Sequence, residues 1–175
     1  RADFTPCFIC EIPGLFLTGK IPLDVAMITV TPPDSHGYCS LGISIDYTIQ
    51  AARAAKMVIA QVNPEMPRTF GGTLLHVSEI DYFVPAEEPL IVLDPPVIGP
   101  VEKQIGMNVA SLIDDGSTLQ LGIGSIPDAI LSFLHEKHDL GVHTELFSDG
   151  VRGLVEAGVI NGKKKTLHPG KVVAN

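Results

Sequence analysis

Pro22-Leu23-Asp24-Val25-Ala26-Met27-Ile28-Thr29-Val30-Thr31 decides the fold. A proline turn opens onto a short run of apolar and β-branched residues, which ends at the stiff polar loop Pro32-Pro33-Asp34-Ser35-His36-Gly37. A run of this length and composition is a buried strand rather than a helix. Asp46 to Ala55 follows as an amphipathic helix, with Asp46 placed to cap it and alanines supplying propensity. Met57-Val58-Ile59-Ala60-Gln61-Val62 is the next buried strand. Strand, loop, helix and strand in that order make a βαβ unit and imply a parallel sheet, so the fold class is α/β.

Upstream, Phe4 to Glu11 reads as a strand containing Cys7 and Cys10. Downstream, Pro85, Pro89, Pro95, Pro96 and Pro100 crowd one stretch that can be neither helix nor central strand. Residues 85–100 are therefore expected to be an extended linker between a first domain, 1–84, and a second, 101–175. In the second, Val101 to Ile113 is a helix with its apolar face at Val101, Ile105, Val109 and Leu112. Ser117 to Gly122 is a strand, and Ile126 to Leu134 a helix started by Ser125 and Pro127. Gly141 to Phe147 is another strand and Gly150 to Ala157 a helix. The second half is thus βαβα, expected to stop before its sheet is complete.

Composition excludes several function classes. The 175 residues are 45% hydrophobic and 18% charged, which rules out a disordered tail and predicts strands buried on both faces. A net charge of −8 argues against nucleic-acid binding, and the run Lys163-Lys164-Lys165 beside Gly162 reads as a solvated turn. No apolar stretch reaches the roughly 18–20 residues of a membrane span. With no export signal at Arg1-Ala2-Asp3-Phe4, the three cysteines are expected as free thiols in a reducing cytoplasm.

Two segments carry the candidate chemistry. Leu121-Gly122-Ile123-Gly124-Ser125-Ile126-Pro127 lies where a strand gives way to a helix, the place at which open α/β sheets bind ligands. Its glycines let a ligand approach the backbone, and the helix offers free N–H groups and a positive dipole end. Pro127 stands where a dinucleotide fingerprint needs its third glycine, so a nicotinamide or flavin dinucleotide is not implied. The second segment is His143-Thr144-Glu145-Leu146-Phe147-Ser148-Asp149-Gly150. On a parallel strand its end shares a sheet edge with the glycine loop. Glu145 is then either one half of a buried ion pair or a positioned nucleophile or base. His143-x-Glu145 and Pro6-Cys7-Phe8-Ile9-Cys10 supply both halves of the zinc-deaminase signature, but in reversed order and on opposite sides of the proline stretch. No metal is expected. Tyr38 to Ser44 and Phe70-Gly71-Gly72-Thr73 read as loops capable of close ligand contact or as ordinary turns. His36, His76, His135, His138 and His168 read mostly as surface or capping residues.

Taken together, Pro32-Pro33-Asp34, His36 to Gly42, His76 to Asp81, Gly122 to Ala129 and His143 to Gly150 resemble one family, in order and with matching spacing. It is the acetyl-CoA hydrolase/4-hydroxybutyrate CoA-transferase family. The resemblance implies two similar α/β CoA-transferase domains, both incomplete in this chain, with an active site between them. It places the catalytic glutamate of the Thr-Glu-(Met/Leu)-Phe-Ser-Asp motif on Glu145. It places backbone oxyanion donors on Gly122, Ile123 and Gly124, and a cleft-facing first-domain loop on Ser40, Leu41 and Gly42. The chain looks like an internal fragment of less than half a typical member, and Gly71-Gly72-Thr73 departs from the Gly-Asp-Ser of relatives.

The implied reaction is CoA transfer between a short-chain acyl-CoA (acetyl, butyryl or 4-hydroxybutyryl class) and a carboxylate acceptor. It would run by ping-pong kinetics through a covalent glutamyl-CoA thioester, with CoA as substrate and no separate cofactor. An acyl-CoA hydrolase using the same glutamate, or a non-catalytic CoA- or anion-binding module, would retain the same segments. The expected partners are acyl-CoA, small carboxylates and further copies of the chain in a homodimer or larger assembly, with neither nucleic acid nor membrane.

Overall fold

The computed structural model describes residues 4–175 and divides into two compact units between Val92 and Leu93, inside the proline-dense stretch. Parallel pairing occurs in both units, as the βαβ reading predicts.

The first unit begins with a correction. Phe4 to Phe8 has no regular structure, Ile9–Glu11 is a 3₁₀ turn and α1 covers Ile12–Leu17, so there is no strand around Cys7 and Cys10. Pro13 sits in the first turn of α1, a place a helix tolerates and a ladder does not. The Glu11 carboxylate accepts the Phe8 N–H at 2.9 Å. Then come β1 (Val25–Val30), β2 (Tyr38–Ser40), α2 (Thr48–Ala54), β3 (Met57–Val62), β4 (Leu74–His76) and β5 (Tyr82–Pro85). Strands β1, β3 and β5 form a parallel sheet in that order, while β2 and β4 pair antiparallel as a separate ribbon. The N-cap of α2 is Tyr47 rather than Asp46.

The core of this unit gathers Ile28, Val30, Leu41, Ile49, Ala60 and Leu75. Burial on both faces, expected from composition, holds for one face only. Ala26, Ile28 and Val30 alternate with Val25, which is exposed, and Met27, which is 83% exposed. Met57, Tyr82 and Val84 continue that open apolar face across the sheet.

The second unit holds α3 (Pro100–Ala110), β6 (Thr118–Leu119), α4 (Ser125–Ser132), β7 (Gly141–Val142) and α5 (Asp149–Glu156). The stripe expected on α3 is displaced: Val101 and Leu112 are exposed, and the buried positions are Gly106 and Ala110. The reason is close packing against α4. A Cβ on Gly106 would stand 2.8 Å from the Ala129 carbonyl carbon and oxygen, so the small residues, not the large ones, face the neighbouring helix. Strands β6 and β7 pair parallel over two residues each, shorter than the runs 117–122 and 141–147. Leu131, Leu134, Leu140, Val142, Val151 and Leu154 form the core around them. Among the described residues no helix is long and apolar enough to cross a membrane.

Candidate active site

The site in the second unit is built at the end of a two-strand ladder. His143 N–H donates to the Leu119 carbonyl at 3.0 Å, and there the main-chain pairing of β6 and β7 stops. A side chain takes over. The Thr144 hydroxyl accepts the Leu121 N–H at 2.9 Å and donates to the Leu121 carbonyl at 2.8 Å. Thr144 is 7% exposed, and its hydroxyl satisfies both backbone groups of Leu121 where strand pairing has ended. The residues that follow are Gly122 on one side and Glu145 on the other, which brings the two sequence-predicted segments to one edge of the sheet.

Glu145 itself lies past β7, on an exposed loop rather than inside a buried strand. The ion-pair alternative is absent among the described residues: no cation pairs with its carboxylate. Its backbone is nonetheless fixed. The Thr144 N–H donates to the Val173 carbonyl at 3.0 Å, and the Glu145 carbonyl accepts the Asn175 N–H at 3.1 Å. A parallel bridge joins His143 to Val173 on the same side.

Across from it, Gly122 and Ile123 are exposed and Gly124 adopts φ 117°, a conformation that favours glycine. Among the described residues the N–H groups of Gly122, Ile123 and Gly124 have no intramolecular partner. Gly124 is the N-cap of α4, so those donors sit at the positive end of a helix. Helix α5 starts from the other side of the site, with Ser148 as its N-cap. Ser148 Oγ and Asp128 Oδ1, in the first turn of α4, are buried atoms without a hydrogen-bond partner. An exposed glutamate and free backbone donors thus follow the two bridged residues, Thr144 and Leu121; a carboxylate nucleophile and oxyanion donors are the groups that covalent acyl transfer uses.

The neighbourhood contains two groups the sequence did not single out. His168 adopts φ 53° and its ring lies 6.3 Å from that of His143, which precedes Thr144 and Glu145. Lys165, expected in a solvated turn with Lys163 and Lys164, is only 6% exposed, and burial pushes its ammonium below the ordinary lysine range. Its Nζ donates to the Val142 and Lys171 carbonyls, each at 2.8 Å. Thr144 was not singled out in the sequence, and the signal that could have placed it inward is the alternation of faces along an extended segment. Lys165 offers no such signal, because nothing local separates it from its two exposed neighbours.

Ser40, Leu41 and Gly42 belong to the first unit and are all buried. Ser40 Oγ accepts the Gly42 and Thr69 N–H groups, each at 3.1 Å, and Thr69 Oγ1 donates to the Gly42 carbonyl at 2.8 Å. Leu41 N–H donates to the Thr73 carbonyl at 2.9 Å, so the Gly71-Gly72-Thr73 stretch is a packed turn at its Thr73 end. Gly42 has φ 62°, and a Cβ there would strike the Met66 side chain. His76 caps the 3₁₀ turn Val77–Glu79 through Nδ1. Cys7 and Cys10 are exposed free thiols, and among the described residues no group of three or more His, Cys, Asp or Glu side chains could hold a metal.

Comparison with known proteins decides the family. Residues 1–94 match the acetyl-CoA hydrolase/transferase N-terminal domain. The chain belongs to the acetyl-CoA hydrolase/transferase family. It is 62% identical to 4-hydroxybutyrate coenzyme A transferase of Clostridium kluyveri over 173 residues, 99% of this chain and 40% of that protein. It is 46% identical to succinyl-CoA:cyclohexane-1-carboxylate CoA transferase of Geobacter metallireducens, covering 39% of it. The solved 4-hydroxybutyrate CoA-transferase of Porphyromonas gingivalis superposes with a TM-score of 0.91 at 50% identity, over 97% of this chain and 43% of that one. RipA of Yersinia pestis gives 0.93 at 37% identity, over 98% and 40%. The chain therefore spans about 40% of the length of the relatives it matches.

Proposed function

We propose that this chain carries the nucleophile of a CoA transferase that moves CoA between a short-chain acyl-CoA and a small carboxylate, with Glu145 as that nucleophile. The observation that supports the reading is the Thr144–Leu121 bridge, after which the chain runs on to the exposed Glu145 on one side and, on the other, to the N–H groups of Gly122, Ile123 and Gly124, free among the described residues. Three curated relatives are named as CoA transferases, two of them with succinyl-CoA in the name, which supports the reaction class. CoA is a substrate here and no separate cofactor takes part. The parent protein works in the cytoplasm as a homodimer or larger assembly.

The chemistry balances without an added proton or cofactor. A Glu145 carboxylate oxygen attacks the thioester carbonyl, the C–S bond breaks, and CoA leaves as thiolate from an acyl-glutamyl anhydride. The thiolate attacks the glutamyl carbonyl, the anhydride C–O bond breaks, and the first carboxylate departs from a glutamyl-CoA thioester. An acceptor carboxylate then runs the two steps in reverse and regenerates Glu145. A carboxylate is ionised at neutral pH and needs no base, but it is a weak nucleophile. Positioning and donors aimed at the developing oxyanion must supply the rate. Gly122, Ile123 and Gly124 provide those donors. Ser40, Leu41 and Gly42 serve as a stiff loop within their own unit, since the Ser40 hydroxyl and the Leu41 and Gly42 N–H groups are already bonded.

The test is an initial-rate study of a protein extended to the relatives' full length. Acyl-CoA varied at several fixed acceptor concentrations should give parallel double-reciprocal lines. CoA release that proceeds at full rate without acceptor would instead make water the second substrate and the protein a hydrolase.

A further inference from the structure

Lys165 is buried, and among the described residues no carboxylate pairs with it. A buried cation without a counter-charge is costly, so an apolar side chain of similar volume in its place removes that cost. Its geometry shows what it does instead. The aliphatic stem crosses β7 at Gly141, where a Cβ would stand 2.5 Å from Lys165 Cγ, 2.9 Å from Cδ and 3.0 Å from Thr118 Oγ1. Only glycine leaves that passage open. The ammonium then bridges the Val142 carbonyl, at the end of β7, to the Lys171 carbonyl. The segment just after Lys171 is the one that holds the Glu145 loop. Val173 N–H donates to the Val142 carbonyl at 3.2 Å, the Val173 carbonyl accepts Thr144 N–H, and Asn175 N–H reaches the Glu145 carbonyl.

We propose that Lys165 is a positioning residue for Glu145, stapling residues 171–175 to the end of β7 so that the Glu145 backbone is fixed opposite the Gly122–Gly124 donors. The inference rests on the reading of Glu145 as nucleophile. It assigns the buried charge to orientation rather than to stability, and the two roles give opposite results on substitution.

The experiment uses the protein at the relatives' full length, with Lys165→Met and Lys165→Gln compared with the unsubstituted protein. Glu145 is trapped with acyl-CoA and borohydride over a time course, and kcat, KM and Tm are measured in parallel. Expected for Lys165→Met is a trapping rate and kcat lower by about 10–100-fold, the scale of an ångström of misplacement, with KM for acyl-CoA within about threefold and Tm unchanged or raised. Lys165→Gln, which keeps an uncharged NH₂ donor on a shorter stem, should fall between. Trapping at the unsubstituted rate in Lys165→Met overturns the inference while leaving Glu145 as nucleophile. Loss of folding in both variants also overturns it, by making the staple a stability device. Failure to trap Glu145 in the unsubstituted protein removes the nucleophile reading itself, and the inference with it.

Discussion

The Thr144 hydroxyl holds both backbone groups of Leu121, accepting its N–H at 2.9 Å and donating to its carbonyl at 2.8 Å. One side chain thereby continues a ladder that the main chain has abandoned. Thr144→Val keeps the shape and removes both bonds. Each buried group left unpaired costs about 1–3 kcal/mol, so denaturant unfolding should show a clear loss of stability. In a full-length protein kcat should fall together with it, while Thr144→Ser, which retains the hydroxyl, should recover most of both.

Glu145 is exposed and, among the described residues, no hydrogen bond or ion pair engages its carboxylate, so its removal separates chemistry from stability. Glu145→Gln should lower kcat by at least about 10³-fold, as loss of a covalent nucleophile does. Thermal unfolding should stay within the range of ordinary surface substitutions, about 0.5 kcal/mol either way. A variant that retains a tenth of the activity would point to another nucleophile.

Gly106 tests the packing that carries α4, and with it the Gly122–Gly124 loop. A methyl group there meets the Ala129 main chain at 2.8 Å, where no flexible side chain can give way. Gly106→Ala should cost about 1–3 kcal/mol by overpacking, despite the higher helix propensity of alanine. Urea titration of the two proteins would measure the difference.

Acid should weaken the first unit through two carboxylates. Asp34 is held below the usual aspartate value by the Tyr38 N–H at 2.9 Å, then by the His36 N–H and by Arg68. Glu79 is held below the usual glutamate value chiefly by Arg53 at 2.9 Å. Both pKa values are depressed on folding, so the stability they contribute is present above the ordinary carboxylate range, near about pH 4, and is lost as pH falls through the lowered values. The acid limb of Tm against pH should be shallower in Asp34→Asn, with the two curves converging at the lowest pH.

How much of this was legible in the sequence follows from the range of the forces involved. The strands Val25–Val30 and Met57–Val62 and their parallel pairing were readable because the apolar runs are short, β-branched and bounded by turns. The glycine turn was readable as the point where a strand gives way to a helix, and the sheet edge it shares with the Glu145 segment follows from parallel order. The strand expected at Phe4–Glu11 failed because Pro13 and the Glu11–Phe8 bond favour a helix start over a run that looks apolar. The α3 face was misread because helix packing here selects small residues, while periodicity counts large ones. The β2–β4 ribbon was missed since each strand is three residues long and held by the Ser40, Thr69 and Thr73 hydroxyls, which carry no periodic signal. Lys165 depends on Gly141, distant in sequence, and that pairing exists only in three dimensions.

The most direct measurement is peptide mapping by mass spectrometry after a full-length protein has been incubated with acyl-CoA and borohydride. Hydride reduces a glutamyl thioester to a primary alcohol and leaves a free carboxylate untouched. The account predicts that the alcohol appears at Glu145, requires acyl-CoA, and is absent when Glu145 is replaced by Gln. An unmodified Glu145 in a protein that turns over acyl-CoA would contradict it.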